Sequence, residues 1–200
     1  MSNKKYSAGL VSQGFWFYEL KQYIELLQEG KTEAEIQKLS EEINIFSAVS
    51  VSRGKETFNA VRRRVNVFDS NMYHLFPKLN IENQKIIALI AVLSLNDLFL
   101  EFMLEVFQEK INKEILQLSV TDYRSFFSEK QRTNDTVATW KPYTYNRLAS
   151  AYRNYLLESG LIRESNGVEM ITPKNLDVRV IQWLKDNKRL DILKAIMGGY

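Results

Sequence analysis

A chain of 200 residues and 23.4 kDa, 45% hydrophobic and 12% aromatic, holds apolar material for one ordinary domain or for two or three small ones sharing a core. It contains no cysteine and one histidine, which excludes a disulfide framework, thiolate catalysis and His/Cys metal sites. Net charge is only +3, so any basic surface must be local: the net is +1 over residues 1–70, −2 over 71–120 and +4 over 121–200.

With three prolines and eight glycines, the composition favours helix. The opening MSNKKYSAGL lacks the apolar core of a signal peptide. Apolar residues then recur at helical spacing from Leu10 to Leu27, with Phe15, Trp16, Leu20, Tyr23 and Ile24 on one stripe, which predicts a single helix ended by Gly30. Thr32 and Glu35 form a capping-box pair that opens a second helix through Ile36, Leu39 and Ile43. A third starts near Ser50 or Ser52. Three helices, the last basic, predict a helix-turn-helix-like N-terminal unit over residues 1–76.

Residues 77–119 read as a central hub of two apolar helices, Glu82–Leu95 and Asp97–Leu116. The run IIALIAVLSL from Ile86 to Leu95 is too short to span a bilayer, and extending it brings in Asn96, Asp97, Glu101 and Glu105. No membrane span is expected, and a cytoplasmic location is the simplest expectation.

Residues 120–200 change rhythm. Asp122 can cap a helix through Phe126 and Phe127, and Asn134 or Asp135 a short one through Trp140. Pro142 suits the first turn of a longer helix ending at Gly160. Two short strands about Ser165-Asn166-Gly167 give a hairpin, and a final helix from Leu176 to about Asn187 leaves a short tail. Three helices and a hairpin are the order of a winged helix. The fold class predicted is therefore mainly α, with a C-terminal winged helix. A faint echo puts Phe58, Val61, Val65 and Phe68 in step with Tyr145, Leu148, Tyr152 and Tyr155, a spacing any amphipathic helix gives.

Two helices carry candidate chemistry. Over SRGKETFNAVRRRVNVF, from Ser52 to Phe68, five basic residues stand against one acid. Phe58, Val61, Val65 and Phe68 make the buried stripe. Lys55, Asn59, Arg62, Arg63 and Asn66 share the adjoining side, while Arg53 and Arg64 fall on the far flank. Arginine and asparagine make paired hydrogen bonds to base edges, and arginine and lysine neutralise phosphates. The plainer alternative is a solvated face whose arginines pair with Glu41 and Glu42. In the helix from Pro142, the outward residues are Tyr143, Asn146, Arg147, Ser150, Arg153 and Asn154, with Lys141 at the entry. A cationic helix N-terminus favours anions through dipole and side chains together. Arg163, at the base of the hairpin, would flank such a contact. A winged helix used for protein contacts is the alternative.

No enzyme signature emerges. There is no phosphate-binding glycine loop, and His74 is read as a packed or partly exposed residue. Glu101 and Glu105 are read as a solvated edge, with an all-carboxylate metal site left as an alternative. Trp140, Trp183, Phe15 and Trp16 are read as packing. No cofactor, metal or small-molecule substrate is expected.

The residues Tyr6-Ser7-Ala8-Gly9-Leu10 with Gly14, the run EEINIFSAVSVSRGKETFNAVRRRV, and WKPYTYNRLASAYRNYLLESGLI together resemble the BrxA family of BREX phage-defence systems. The resemblance implies a small, non-enzymatic, helical and DNA-associated component encoded beside a DNA methyltransferase, an ATPase and a phosphatase-like protein. Members have also been labelled NusB-like, implying RNA binding, and inner-membrane. The hydropathy above opposes the second label, and the −2 central segment lends the first no support there.

The leading expectation is a double-stranded DNA-binding accessory protein. Its rival is an adaptor that tethers other defence components, such as the methyltransferase or ATPase, without DNA affinity of its own; Tyr6, Phe15, Tyr143 and Tyr200 are its candidate contact residues.

Overall fold

The computed structural model describes residues 5–198. Their contacts group into two compact units. One runs from Phe15 to Val92; the other joins the segment ending at Gly14 to the segment beginning at Leu93.

In the first unit, α1 (Phe17–Gln28) ends in a Schellman turn. Gly30, at φ +84°, donates its N–H to Leu27 O while Lys31 donates to Leu26 O, satisfying carbonyls the helix leaves open. Then α2 (Glu33–Glu42) opens on the expected capping box: the Glu35 N–H donates to Thr32 Oγ1, and the Thr32 N–H donates to the Glu35 carboxylate. Next, α3 (Val51–Val65) is capped by Ser50 Oγ, which accepts from the Arg53 N–H. Phe58, Val61 and Val65 are buried as the stripe requires, and the Phe58 ring lies 6.0 Å from that of Tyr23 in α1. A short α4 (Ser70–Leu75), capped by Asp69, was not anticipated. In α5 (Ile81–Leu95) every residue from Ile86 to Leu93 is buried, which is what an all-round apolar helix needs. Among the described residues, no single helix is long and apolar enough to cross a membrane.

The expected helix from Leu10 to Leu27 is not continuous. A 3₁₀ turn, Gly9–Ser12, gives way to extended Gln13, and Trp16 sits in the left-handed region at φ 52° before α1 begins. The reason is tertiary. The Val11, Gln13 and Gly14 carbonyls all accept side-chain hydrogen bonds from the helix that begins at Pro142, so they are turned away from a helical ladder.

The second unit contains a helix interrupted once: α6 (Asp97–Phe102), a π turn (Met103–Phe107) and α7 (Gln108–Asn112). It stops before Leu116, because β1 (Gln117–Leu118) leaves to join a sheet. There follow α8 (Val120–Thr133), α9 (Asp135–Ala138), α10 (Pro142–Ser159), β2 (Ile162–Ser165), β3 (Val168–Ile171), α11 (Val178–Asp186) and α12 (Leu190–Met197). The cap of α8 is Ser119; Asp122 completes a capping box from the third position instead of capping the helix itself. Asn166 and Gly167, both at positive φ, make the two-residue turn of the β2–β3 hairpin. The sheet is antiparallel in the order β1-β3-β2, and its third strand was not foreseen. Nor was α12, whose Ile192, Leu193, Ala195 and Ile196 are fully buried where a tail was expected.

Aromatic rings form the core of this unit. Phe99 stacks on Tyr152 at 4.2 Å, Phe102 stacks on Tyr123 at 5.0 Å, and Phe127 lies 5.6 Å from Tyr152. The fold is mainly α with one small sheet, as the composition and periodicity predict.

Candidate nucleic-acid interface

The cations of α3 fall into three kinds: paired, buried and exposed. Arg53 is held by Glu56 at 2.8 Å, one turn on. Arg62, half-buried over the Phe58 ring, pairs with Glu33 of α2 at 2.9 Å. Arg64 is 2% exposed, donating to Phe15 O at 2.7 Å with its guanidinium over the Trp16 ring. Lys55 and Arg63 remain exposed, and Asn59 and Asn66 are exposed with them. Spaced at four, four and three residues, Lys55, Asn59, Arg63 and Asn66 form one outward line.

The pairing imagined with Glu41 and Glu42 does not form. Glu41 accepts from Gln37, Glu42 faces Lys38 at 3.7 Å, and Glu33 takes the arginine. Sequence distance misled here: Glu33, at the start of α2, lies 29 residues before Arg62 yet is the acid that pairs with it.

On α10, Lys141 occupies the N-cap position with no side-chain cap bond and lies exposed. Tyr143 is 66% exposed, and the Arg147 guanidinium sits 5.5 Å over its ring while donating one hydrogen bond to Val11 O at 2.7 Å. A guanidinium has five N–H donors, so most of this one still faces outward. Asn146 and Ser150 are exposed on the same line, with Ser150 Oγ donating to Asn146 O. Tyr143 with Arg147, and Asn146 with Ser150, are brought into contact, and Lys141 is exposed at the entry of the same helix.

Arg153 is not part of that open group. Its Nε donates to Glu169 at 2.6 Å and its Nη2 to Glu164, both on the hairpin. The Glu169 hydrogen bond is the main reason its affinity for a proton is raised further. Glu169 is itself held by the Tyr123 hydroxyl at 2.9 Å. Arg163 is exposed on β2, next to Glu164, so the hairpin carries both signs.

Sequence reading missed the groove beside α10. Arg124, Ser128 and Gln131 of α8 face Asn146 and Pro142 across a cavity of about 320 Å³ floored by Phe127 and Tyr145. The signal was present: these α8 residues share the outer, polar side of a helix whose inner side is Tyr123, Phe126 and Phe127.

The carboxylates singled out earlier serve a structural purpose. Glu101 and Glu105 both accept from Lys130 Nζ at 2.6 Å, and Tyr6 OH donates to Glu101 at 2.7 Å. Glu101 is thus no solvated edge; its side chain is 18% exposed. Among the described residues no group of three or more His, Cys, Asp or Glu could hold a metal ion. Of the aromatic contact candidates, Phe15 is buried, Tyr6 is half-buried, Tyr143 is exposed and Tyr200 lies outside the described residues.

Compared with known proteins, residues 4–188 match the family model described as BrxA. The chain is 31% identical to the BREX protein BrxA of Bacillus cereus (strain H3081.97) over 191 residues, covering 94% of this chain and 96% of that protein. Its fold is similar to the crystal structure of an uncharacterized protein from Magnetospirillum magneticum, with a TM-score of 0.78 over 97% of this chain and 99% of that one at 17% identity.

Proposed function

The chain belongs to the BrxA family, and we propose that it is a non-enzymatic, double-stranded DNA-binding accessory component of a BREX phage-defence system. The observation that carries this reading is the pair of exposed lines of cations and amides, one on each of two long amphipathic helices. On α3 these are Lys55, Asn59, Arg63 and Asn66; on α10 they are Lys141, Tyr143, Asn146, Arg147 and Ser150. Each combines a phosphate-neutralising cation with an asparagine suited to a base edge.

The order α8, α9, α10, β2, β3 supports a winged-helix reading, in which β1 would add a third strand to the hairpin's sheet. In that docking geometry α10 enters the major groove with its N-terminal residues foremost. Lys141, Tyr143, Asn146 and Arg147 are those residues, and the helix dipole adds to their attraction for phosphate. The hairpin is the departure: Glu164 and Glu169 consume Arg153, so the wing contributes little net positive charge. Contact therefore concentrates at the N-terminal half of α10. Family membership also implies other BREX proteins as partners.

The test is fluorescence anisotropy of a labelled duplex across a salt series. Wild type would be run beside Lys55→Ala/Arg63→Ala and Lys141→Ala, whose native side chains are exposed and make no hydrogen bond or ion pair among the described residues. Each cation removed should lower the slope of log affinity against log salt by about 1. Binding that ignores salt, or no binding, would return the protein to the adaptor reading.

A further inference from the structure

At the start of α3 the surface changes character. Val49 is 94% exposed and Val51 73% exposed, on either side of the Ser50 cap. They are not on a loose loop. Asn44, at φ 52°, brackets the link by accepting from the Ala48 N–H at 2.8 Å and donating Nδ2 to Ala48 O at 2.9 Å. Ser50 then fixes the first turn. Two apolar side chains are thus held outward at a fixed geometry, which costs hydrophobic hydration and contributes nothing to the unit's own core.

Single exposed apolar residues are ordinary. Val51 is distinguished by what continues from it, and Val49 by standing two residues before it across the extended Ser50 cap. Val51, Lys55, Asn59 and Arg63 stand at successive intervals of four, so the valine heads the cationic line of α3. A polyanion is what that line complements, and a valine adds nothing to a phosphate contact. The apolar feature a duplex exposes in its major groove is the C5 methyl of thymine, which apolar side chains contact directly. In helix-turn-helix docking, the N-terminal residues of the third helix are the ones that reach base edges.

We infer that Val49 and Val51 read thymine methyl groups, giving α3 a preference for A·T pairs at its N-terminal end, with Asn59 and Lys55 following along the groove. This rests on the DNA-binding reading above and adds sequence preference to it.

The experiment compares one duplex containing thymine with the same sequence in which deoxyuridine replaces every thymine. Only the methyl groups differ. Wild type should bind the deoxyuridine duplex more weakly by about three- to fivefold per methyl contacted. The variant Val49→Ser/Val51→Ser should bind both duplexes equally, which separates the methyl contact from any change in duplex stiffness. Circular dichroism would check that the variant keeps its helix content; both side chains are solvent-exposed, so folding should be intact. Equal, salt-sensitive binding of both duplexes by wild type would overturn the thymine inference and leave DNA binding standing, with the valines then facing a protein partner. No binding of either duplex would overturn both.

Discussion

Arg153 of α10 donates through Nε to Glu169 of β3 at 2.6 Å, and through Nη2 to Glu164 of β2. The helix that carries the candidate DNA face is thereby latched to its own hairpin by a cation that helical periodicity alone counts toward phosphate. Glu169 is 11% exposed and Glu164 49%, so the two carboxylates play different parts. Removing Arg153 leaves Glu169 with the Tyr123 hydroxyl against it and should cost about 1–3 kcal/mol of stability. Removing only the outer charge, with Glu164→Gln, should cost little stability and raise duplex affinity by roughly two- to threefold at low salt. Thermal denaturation and anisotropy on the two variants check this. If Arg153→Ala melts like wild type and binds as poorly as Lys141→Ala, the arginine is a DNA contact and not a latch.

Neighbouring arginines of α3 should behave oppositely. Arg63 is exposed, whereas Arg64 is buried against the Phe15 carbonyl and the Trp16 ring. Arg63→Ala should leave the melting temperature within about 2 °C and weaken DNA binding, since surface substitutions away from special contacts fall within about 0.5 kcal/mol. Arg64→Met keeps an apolar stem but removes the buried hydrogen bond to the Phe15 carbonyl and should lower stability by about 2–3 kcal/mol. Equal melting temperatures for the two variants would refute the burial of Arg64.

This contrast marks where sequence reading reached and where it stopped. The three central arginines look alike in a string, and helical periodicity sorts them only by angle. Caps and turns were legible because their chemistry is local: Thr32 with Glu35, Ser50, Pro142, Gly160, and Asn166 with Gly167 all specify backbone geometry within a few residues. Features set by distant partners were not. The break before α1 depends on Arg147 and Tyr155, more than 130 residues away in sequence. The same holds for β1, which exists only because β3 lies beside it, and for the ion pair between Arg62 and Glu33. The candidate site was found as two helices, but its individual members could be separated into free and engaged cations only by those long-range contacts.

Lys130 illustrates a cation engaged deeply enough to be structural. Its side chain is 12% exposed, with Glu101 and Glu105 each 2.6 Å away and the Phe126 ring beneath. Burial opposes its charge, yet the two carboxylates outweigh that and raise its affinity for the proton. Lys130→Met should destabilise the unit containing α10 by ~2 kcal/mol or more, because it strips the cation from a largely buried Glu101. Adding Glu101→Gln to that variant should recover part of the loss. A double variant no more stable than Lys130→Met alone would show that the carboxylate is not the source of the cost.

Tyr23 offers the converse, a buried polar atom that stability does not need. The ring is 1% exposed in α1, and its hydroxyl has no hydrogen-bond partner among the described residues. Burial, followed by the nearby Glu33 carboxylate, pushes its pKa up to about 12 from an ordinary value near 10. The neutral phenol is thus favoured in the folded state, so its contribution is intact below about pH 10 and is lost as pH rises from there through 12. Tyr23→Phe removes both the unpaired hydroxyl and this alkaline penalty. Its stability at neutral pH should equal wild type or exceed it by up to about 1 kcal/mol. Between pH 10 and 12 the variant's advantage should widen, as wild type must either ionise a buried phenol or hold its proton at a cost. Urea titrations at pH 7, 10 and 11.5 would measure both effects. A destabilised Tyr23→Phe at pH 7 would mean that the hydroxyl makes a stabilising contact.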